Sequence, residues 1–423
     1  MYAIQDIQLD GVIAVDATDI AVTGVGAFTP LGGNVATTWQ SLLAGGSGIR
    51  DVGMDFLQGS GLPVTIAAPM AADPAMSLSP VEAKRLDRVQ QAAMVAAEEA
   101  WADAGTPEVD GTRLAVVVGT GVGGIGTLLR EDDVFESRGL RRVSPRTVPM
   151  LMANGPAAAL SIRYGAKAGS YTPVSACSSG AEALVQATRL IRSGEADVVI
   201  AGGAEAAITP ITVAAFLQTR ALSTRTADPG SASRPFAADR DGFVLGEGAG
   251  ILVLESAQHA KARGAVVHAV LRGVGIASDA FHMTAPADDG AGQITAIHKA
   301  LKDAGMSTAD IGHINAHATG TSLGDLAEAK AIRTVFGDAA VVTAPKASLG
   351  HLFGAAGAVE AILTVRSIAQ DVIPPTRNLY DGNVDPKIGL DVAMATRHGT
   401  QNAAISNSFG FGGQNVCLVF GKS

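Results

Sequence analysis

One stretch, residues 174–203, constrains the fold of this chain more than any other. Small and β-branched residues lead to Cys177, two serines and a glycine, and apolar residues then recur at helical spacing from Ala181 onward. Gly194 stands where a helix would end, and residues 197–203 are apolar enough for a buried strand. The pattern therefore predicts a sharp turn at Cys177, then a helix, then a strand.

A cysteine at the start of a helix is a candidate nucleophile. Free N–H groups and the helix dipole stabilise an anion there, so we expect the Cys177 thiol to lose its proton more easily than usual. The thiolate is the form of cysteine that attacks an electrophilic carbon. The alternative interpretation is a small, buried cysteine that only packs.

Strands and helices alternate along the chain, and several strands end in glycines, as in residues 20–33 and 114–124. This alternation predicts parallel sheets covered by helices on both faces. Similar pieces recur in the C-terminal part, which indicates two similar halves with their loops around one site. The Gly-x-Gly of residues 20–33 is a weak dinucleotide signal, because its third glycine is misplaced and no acidic residue follows a second strand in the required place.

Composition narrows the class of protein. Hydrophobic residues make up 47% of the 423 residues and charged residues 17%, which suits a large buried core. A net charge of −9 argues against a nucleic-acid-binding face. Two cysteines fit a reducing compartment, and neither a secretory signal nor a membrane-spanning run is apparent, so we expect a cytoplasmic protein.

Three later segments carry polar groups in glycine-rich surroundings: residues 315–321, 346–351 and 408–413. A lone histidine at a strand end is more often structural than catalytic. Here His317 and His351 occupy comparable loops in a chain with only eight histidines. Together with the candidate thiolate, they favour a catalytic site.

These segments carry a family resemblance. ACSSG at Cys177, AHATGT at His317, KASLGH with GAAG at His351, and NSFGFGG near the end occur in this order. The chain resembles the β-ketoacyl-acyl-carrier-protein synthases from about residue 20 onward, most closely the synthase II type. The resemblance implies an α/β, thiolase-like fold in which two similar halves form a five-layered αβαβα sandwich. It further implies an extension at 1–18, a half with the nucleophile at 19–262, a half with both histidines at 263–423, and a homodimer.

The resemblance also implies a reaction. Cys177 would carry an acyl group, and malonyl-loaded acyl carrier protein would then bind and lose carbon dioxide. His317 and His351 would stabilise the resulting enolate, while the backbone N–H groups of Cys177 and Phe411 would stabilise the second oxyanion. Lys346 would hold a charge network near His351. The product is a chain longer by two carbons, and no organic cofactor is required.

Binding roles follow from the same resemblance. Thr319 and Thr321 match positions that bind the phosphopantetheine arm. An apolar tunnel for medium and long acyl groups is expected past Val122, Phe216 and Phe409. Docking of the acidic carrier protein needs a local basic patch on this acidic chain, for which the candidates are Lys84, Arg85, Arg88, Arg141 and Arg142, the first three on a helix expected over residues 79–105. A structural monovalent cation is implied at Asn315, Glu360, Ser406 and Asn407.

Alternatives on the same fold remain open. A polyketide ketosynthase would share every motif. A non-catalytic partner subunit of polyketide assembly would lack the active cysteine, so Cys177 argues against it. A thiolase would need one histidine and a second catalytic cysteine; Cys417 lies inside an apolar strand, and we interpret it as a core residue.

Overall fold

The computed structural model describes residues 19–423, so the extension predicted at 1–18 lies outside the described residues. The strands of the described chain are β1 (Ile20–Phe28), β2 (Arg50–Asp51), β3 (Ile66–Ala67), β4 (Leu114–Gly119), β5 (Gly169–Tyr171), β6 (Val198–Glu205), β7 (Gly248–Ser256), β8 (Ala269–Ser278), β9 (Ile311–Asn315), β10 (Val341–Thr343), β11 (Val372–Ile373), β12 (Arg397–His398), β13 (Ala403–Gly410) and β14 (Gln414–Gly421).

The helices are α1 (Val35–Leu43), α2 (Pro80–Ala83), α3 (Arg88–Asp103), α4 (Ile125–Arg138), α5 (Thr147–Leu151), α6 (Gly155–Tyr164), α7 (Ser179–Arg192), α8 (Pro210–Gln218), α9 (Ala257–Ala262), α10 (Ala291–Ala304), α11 (Ser322–Phe336), α12 (Lys346–Leu349) and α13 (Ala356–Gln370). Across residues 19–423, none of these helices combines the length and apolarity that crossing a bilayer demands.

The main sheet is built from two halves with the same strand order. Its order is β10-β9-β13-β14-β8-β1-β7-β6-β4-β5. From the centre outward, β1-β7-β6-β4-β5 of the first half corresponds strand by strand to β8-β14-β13-β9-β10 of the second. The two halves meet in a short antiparallel pairing of β1 with β8, from Ile20↔Leu271 to Val22↔Ala269. This arrangement confirms the prediction of two similar α/β halves.

The prediction of parallel sheets is wrong in part. Among the strands of residues 19–423, only β4 with β5 and β6, and β9 with β10 and β13, run parallel. The inner pairs β6–β7, β7–β1, β13–β14 and β14–β8 are antiparallel. One reason is local: residues 411–413 connect β13 to β14 directly, and a connection this short cannot make the crossover that parallel strands need.

Helices α7 and α13 form the central layer. Their apolar faces lie in one buried cluster with strands of both halves, including Leu184 and Ile191 from α7 and Ile362 and Val365 from α13. Helices α3 and α6 cover the outer face of the first half, and α10 and α11 that of the second. The layers are therefore helix, sheet, helix, sheet, helix, as the five-layered thiolase-like sandwich requires.

The stretch around Cys177 folds as its sequence predicts. A 3₁₀ turn over Ala176–Ser178 leads directly into α7, and Ala176 has a φ of 52°. The helix begins two residues earlier than its apolar spacing indicated, at Ser179, and Gly194 follows it with a φ of 75°. Cys177 thus lies at a sharp turn immediately before a helix of the central layer.

The single helix predicted over residues 79–105 is wrong. It is divided into α2 and α3, with Lys84 and Arg85 in the break. Asp87 causes the interruption, because its side chain accepts the N–H of Val89 and the Gln90 side chain accepts the N–H of Asp87. Such a capping box starts a new helix.

Candidate active site

The Cys177 sulfur lies beneath the backbone of the loop after β13. The backbone N–H groups of Phe411 and of Cys177 itself lie near enough to the sulfur to lower the pKa of the thiol. Gly410 permits this approach, since a Cβ there would lie 2.8 Å from Ser175 O and 3.2 Å from Cys177 N. Both N–H groups predicted to stabilise an oxyanion therefore lie near the Cys177 sulfur, and that role stays a prediction.

Burial changes the expected acidity of this thiol. Cys177 is 6% exposed, and its removal from water raises the pKa to about 11, although the two N–H groups and the Lys346 charge act in the opposite direction. The expectation of a lowered pKa is therefore wrong for the unliganded protein. A helix terminus and neutral N–H groups stabilise the thiolate less than loss of hydration destabilises it.

Two histidines from the second half complete the site. His317 follows β9, and His351 follows α12 across Gly350, whose φ is 68°. In the trio of Cys177, His317 and His351, the cysteine sulfur and one ring nitrogen of each histidine all lie within 4.8 Å of one another. The two imidazole ring centroids are 5.5 Å apart and the rings are nearly perpendicular.

Lys346 orients His317. Its Nζ lies 3.3 Å from His317 Nδ1 and 2.5 Å from Glu360 Oε1, with all three side chains buried. An ammonium donates and cannot accept, so Nδ1 of His317 is the acceptor and the ring proton of the neutral form lies on Nε2. The network predicted near His351 is thus built on His317.

His351 is held by aromatic packing. Its ring stacks on Phe353 at 4.7 Å and meets the edge of Phe243 at 5.4 Å. Among the described residues, no side chain or backbone group hydrogen-bonds either of its ring nitrogens. Burial, reinforced by the Lys346 charge, lowers the pKa of His351, and burial followed by Lys346 and His351 lowers the pKa of His317. Both rings are therefore neutral near pH 7.

Two buried carboxylates on α11 support the His317 loop, and the sequence analysis missed both. Glu328 accepts the N–H groups of His317 at 2.8 Å and Ala318 at 2.6 Å. Asp325 accepts the N–H of Gly320 at 3.0 Å and pairs with buried Arg240. Burial raises the pKa of Glu328 to about 7 and that of Asp325 to about 6. The available signal was two acidic residues among the alanines of one helix.

A cavity of about 330 Å³ connects the trio to the surface. Of the predicted substrate-binding residues, it brings together Thr319, Thr321, Phe216 and Phe409, and Phe411 also lines it. The hydroxyls of Thr319 and Thr321 are 3.0 Å apart. A polar approach therefore leads to an aromatic interior.

Val122 lies outside this cavity. Its side chain is 47% exposed, and its backbone N–H is 3.3 Å from Glu205 Oε1. It belongs to a surface region, residues 122–152, that also exposes Leu128, Phe135, Leu140, Val148 and Met152. Its place in the acyl tunnel stays a prediction.

The predicted docking residues fall into two groups. Lys84, Arg85, Arg141 and Arg142 are exposed. Arg88 is instead engaged inside the protein: its guanidinium forms hydrogen bonds of 2.5 to 3.2 Å with buried Glu247 and also pairs with Asp73. Arg88 therefore has less charge to offer a partner than the other four, and its place in the patch stays a prediction.

The residues predicted to hold a cation are all buried. Asn315 Oδ1, Glu360 Oε2, Ser406 Oγ and Asn407 Oδ1 lack a hydrogen-bond partner in the described chain. Ser406 pairs with Asn315 across β13 and β9, whereas Asn407 Nδ2 lies 3.4 Å from Glu328. Orphaned oxygens of this kind fit a hard cation. Cys417 is fully buried in the core of the second half, as its apolar strand indicated.

The doubled α/β sandwich is that of the thiolase-fold enzymes, and here it places a cysteine of one half close to two histidines of the other. The chain belongs to the β-ketoacyl synthase family. Residues 17–260 match the family model of the beta-ketoacyl synthase N-terminal domain, and residues 268–380 match that of the C-terminal domain. The resemblance found in the motifs is thereby confirmed.

Known relatives cover nearly the whole chain. It is 47% identical over 406 residues to 3-oxoacyl-[acyl-carrier-protein] synthase 2 of Mycobacterium tuberculosis H37Rv, covering 95% of this chain and 97% of the relative. A β-ketoacyl synthase from Burkholderia phymatum has a TM-score of 0.88 at 35% identity, covering 96% of this chain and 99% of that one. A ketosynthase solved with its acyl carrier protein, from a type II polyketide system, has a TM-score of 0.86 at 29% identity, covering 96% and 99%.

Proposed function

We propose that the protein is a β-ketoacyl-acyl-carrier-protein synthase of the synthase II type, which elongates fatty acyl chains by two carbons. The observation that carries this proposal is the trio within 4.8 Å, formed by Cys177 and two neutral histidines. A single histidine and a second cysteine, as a thiolase needs, do not describe this site, because Cys417 is fully buried in the core of the second half.

The first half-reaction transfers an acyl group to Cys177. Sulfur attacks the thioester carbon of acyl carrier protein, the bond from that carbon to the carrier sulfur breaks, and the thiol proton ends on the released carrier thiol. Because the thiol of the free enzyme is protonated at neutral pH, this proton must leave during the attack. The N–H groups of Cys177 and Phe411 stabilise the oxyanion that forms meanwhile.

The second half-reaction uses the histidines. Malonyl carrier protein loses carbon dioxide, and the electron pair of the broken carbon–carbon bond forms an enolate. His317 donates to the enolate oxygen from Nε2, the nitrogen opposite Lys346, and His351 donates from one of its unpartnered nitrogens. The enolate carbon then attacks the acyl-cysteine, the carbon–sulfur bond breaks, and the Cys177 thiolate takes up a proton. Decarboxylation supplies the carbanion, so no organic cofactor enters.

A polyketide ketosynthase is the second candidate. Its support is structural similarity to the ketosynthase of a type II polyketide system, at 29% identity. Identity to the mycobacterial synthases is 47% and 46%, which favours the fatty-acid reaction. Mass spectrometry of the acyl group on Cys177 of protein purified from its own cells would separate the two: a saturated alkyl chain supports elongation of fatty acids, and a poly-β-keto chain contradicts it.

The proposed partners are acyl carrier protein and a second copy of the chain. Support for the carrier comes from the exposed residues Lys84, Arg85, Arg141 and Arg142 and from the solved ketosynthase–carrier complex. Support for a homodimer comes from the exposed apolar side chains of residues 122–152, since an apolar patch of this kind marks an interaction surface.

We also propose a structural cation and a cytoplasmic location. Asn315, Glu360, Ser406 and Asn407 would hold a monovalent cation, whose charge would offset that of Glu360 beside Lys346. Two free cysteines suit a reducing compartment.

Substitution of the nucleophile tests the proposed function. Cys177→Ala should abolish acyl-enzyme formation and condensation and leave the melting temperature close to that of wild type. The measurements are intact-protein mass after incubation with acyl carrier protein, and product formation with malonyl carrier protein. Cys417→Ala is the control and should remain acylated. Normal elongation by Cys177→Ala would disprove the assignment.

A further inference from the structure

Glu205 joins two loops from opposite halves of the molecule. It lies fully buried at the end of β6. Its Oε2 accepts the N–H of Gly121 at 2.6 Å and that of Gly354 at 3.1 Å, and its Oε1 lies 3.3 Å from the N–H of Val122. Gly121 and Val122 follow β4 of the first half, whereas Gly354 follows His351 of the second.

Backbone N–H groups hold this carboxylate, and within residues 19–423 no cationic side chain forms a salt bridge with it. It lies near the start of α13, where the helix dipole favours a negative charge. Burial raises the pKa of Glu205 to about 7, which the N–H groups of Gly354, Gly121, Val122 and Gly123 oppose. The hydrogen bonds to this buried carboxylate therefore fix the positions of both the Glu205 side chain and the loops that donate them.

The two loops pack without intervening side chains. A Cβ on Gly121 would lie 2.4 Å from Glu205 Oε2, and a Cβ on Gly354 would lie 2.4 Å from Gly121 N. A shift of the carboxylate therefore moves both backbones.

Phe353 precedes Gly354 and depends on this contact. Its φ is 46°, a conformation that residues with a Cβ rarely adopt. In that conformation its ring stacks on His351 at 4.7 Å and on Phe216 at 5.1 Å. The Phe353 ring thus lies between a catalytic histidine and the aromatic wall of the cavity.

We propose that Glu205 is a positioning residue that holds Phe353 between His351 and Phe216 and thereby shapes the part of the cavity that receives the acyl chain. The inference rests on the proposed condensing function. Glu205 touches no reacting atom in this arrangement; it acts through the backbone of Gly354 and through the turn at Gly121, and its charge also raises the pKa of Cys177.

The test compares Glu205→Gln with a matched control. Glu255→Gln alters another fully buried carboxylate, on the neighbouring strand β7, which contacts Thr23, His259 and Arg263 away from the cavity. Acylation of Cys177 is followed by mass spectrometry with pantetheine thioesters of increasing acyl length. Iodoacetamide alkylation of Cys177 reports whether the thiol itself is intact.

Glutamine keeps one acceptor oxygen and turns an amide donor toward the other N–H groups, so one loop loses its anchor. We expect Glu205→Gln to acylate roughly 10- to 100-fold more slowly, since small displacements near a reacting centre have costs of this size. The loss should grow with acyl length. Alkylation should be as fast as in wild type or faster, because removal of the Glu205 charge lowers the pKa of Cys177 and favours the thiolate. Glu255→Gln should keep the wild-type length profile even where its melting temperature falls.

Several outcomes would overturn the inference. One is an unchanged length profile in Glu205→Gln, and another is the same change in Glu255→Gln. If Glu205→Gln does not fold, Glu205→Asp, which has the charge with a shorter reach, should show the altered profile; failure of both to fold assigns Glu205 to stability alone. A wild-type protein that forms no acyl-enzyme would disprove the proposed function itself.

Discussion

The two halves of the molecule share a strand order and differ in what they place beyond the equivalent strands β4 and β9. After β4 comes a glycine turn whose N–H groups Glu205 accepts; after β9 comes the His317 loop, whose N–H groups Glu328 accepts. Both carboxylates are buried, and burial raises the pKa of each to about 7. The same kind of support thus holds the glycine turn in the first half and the His317 loop in the second.

This difference separates the chemical tasks. The first half contributes the proposed nucleophile immediately before α7, and the second contributes both histidines and the proposed oxyanion donor of Phe411. Neither half has a complete site. The β1–β8 junction and the central helices α7 and α13 therefore determine the reaction geometry as directly as the site residues do.

The largest expected effect comes from substituting the two histidines of the second half. Either His317→Ala or His351→Ala should cut malonyl decarboxylation roughly 100- to 1,000-fold, the usual cost of losing one oxyanion donor. Because both act on one oxygen, the double variant should be far less impaired than the product of the single effects. Carbon dioxide release measures this, and multiplicative effects would show that the histidines act on different steps.

Acylation of Cys177 tests the same separation of tasks between the two halves. It uses the first-half nucleophile and backbone N–H groups, so the histidine variants should keep at least part of it. Loss of acylation equal to the loss of decarboxylation would contradict the separation of tasks.

The next effect concerns Val122, which is exposed in the single chain, so the prediction rests on the proposed homodimer covering it. Val122→Phe should then overfill the acyl tunnel at a cost of about 1–3 kcal/mol, and slow long acyl primers while sparing short ones. The measurement is elongation rate against primer length, with Ile162→Phe, at an 84% exposed position on α6, as the control. An unchanged profile would remove Val122 from the tunnel, in agreement with its position outside the cavity.

A smaller effect is expected at the surface. Reversing Lys84 and Arg85 to Glu should raise KM for carrier-protein substrates roughly tenfold or less, because exposed charge pairs are worth little each. Short pantetheine thioesters should be unaffected. Arg88→Ala is the contrast: it leaves Glu247 buried without its partner and should lower the melting temperature. Equal losses on both kinds of substrate in the double reversal would indicate a structural role for the patch.

The smallest effect is a change in the pH dependence of stability. Glu328 has a folded-state pKa of about 7 against an ordinary value of 4.5. Between these values the folded state binds more protons at this group than the unfolded state, so its contribution makes unfolding easier as pH rises. Glu328→Gln should flatten this part of the dependence, as followed by melting temperature between pH 5 and 7. A steeper fall in the variant would reverse the assigned direction.

Local patterns were sufficient to predict much of the frame. Apolar spacing located α7, the strand after it and the turn at Cys177, since these features depend on neighbouring residues. Glycine-rich loops located both histidines. The split between α2 and α3 was missed, although Asp87 and Gln90 form a local capping box.

What the sequence alone determined is therefore the set of candidate reactive groups and the local structure around each one. The tertiary structure decided their state and their partners. Lys346 contacts His317, although His351 is closer to it in sequence. Glu205 accepts the N–H of Gly354, which is distant in sequence, and Glu328 accepts the N–H of His317 from a different element. The pKa of Cys177 rises because packing around it removes water, and the degree of burial at a residue is a sum over distant segments that no local pattern contains.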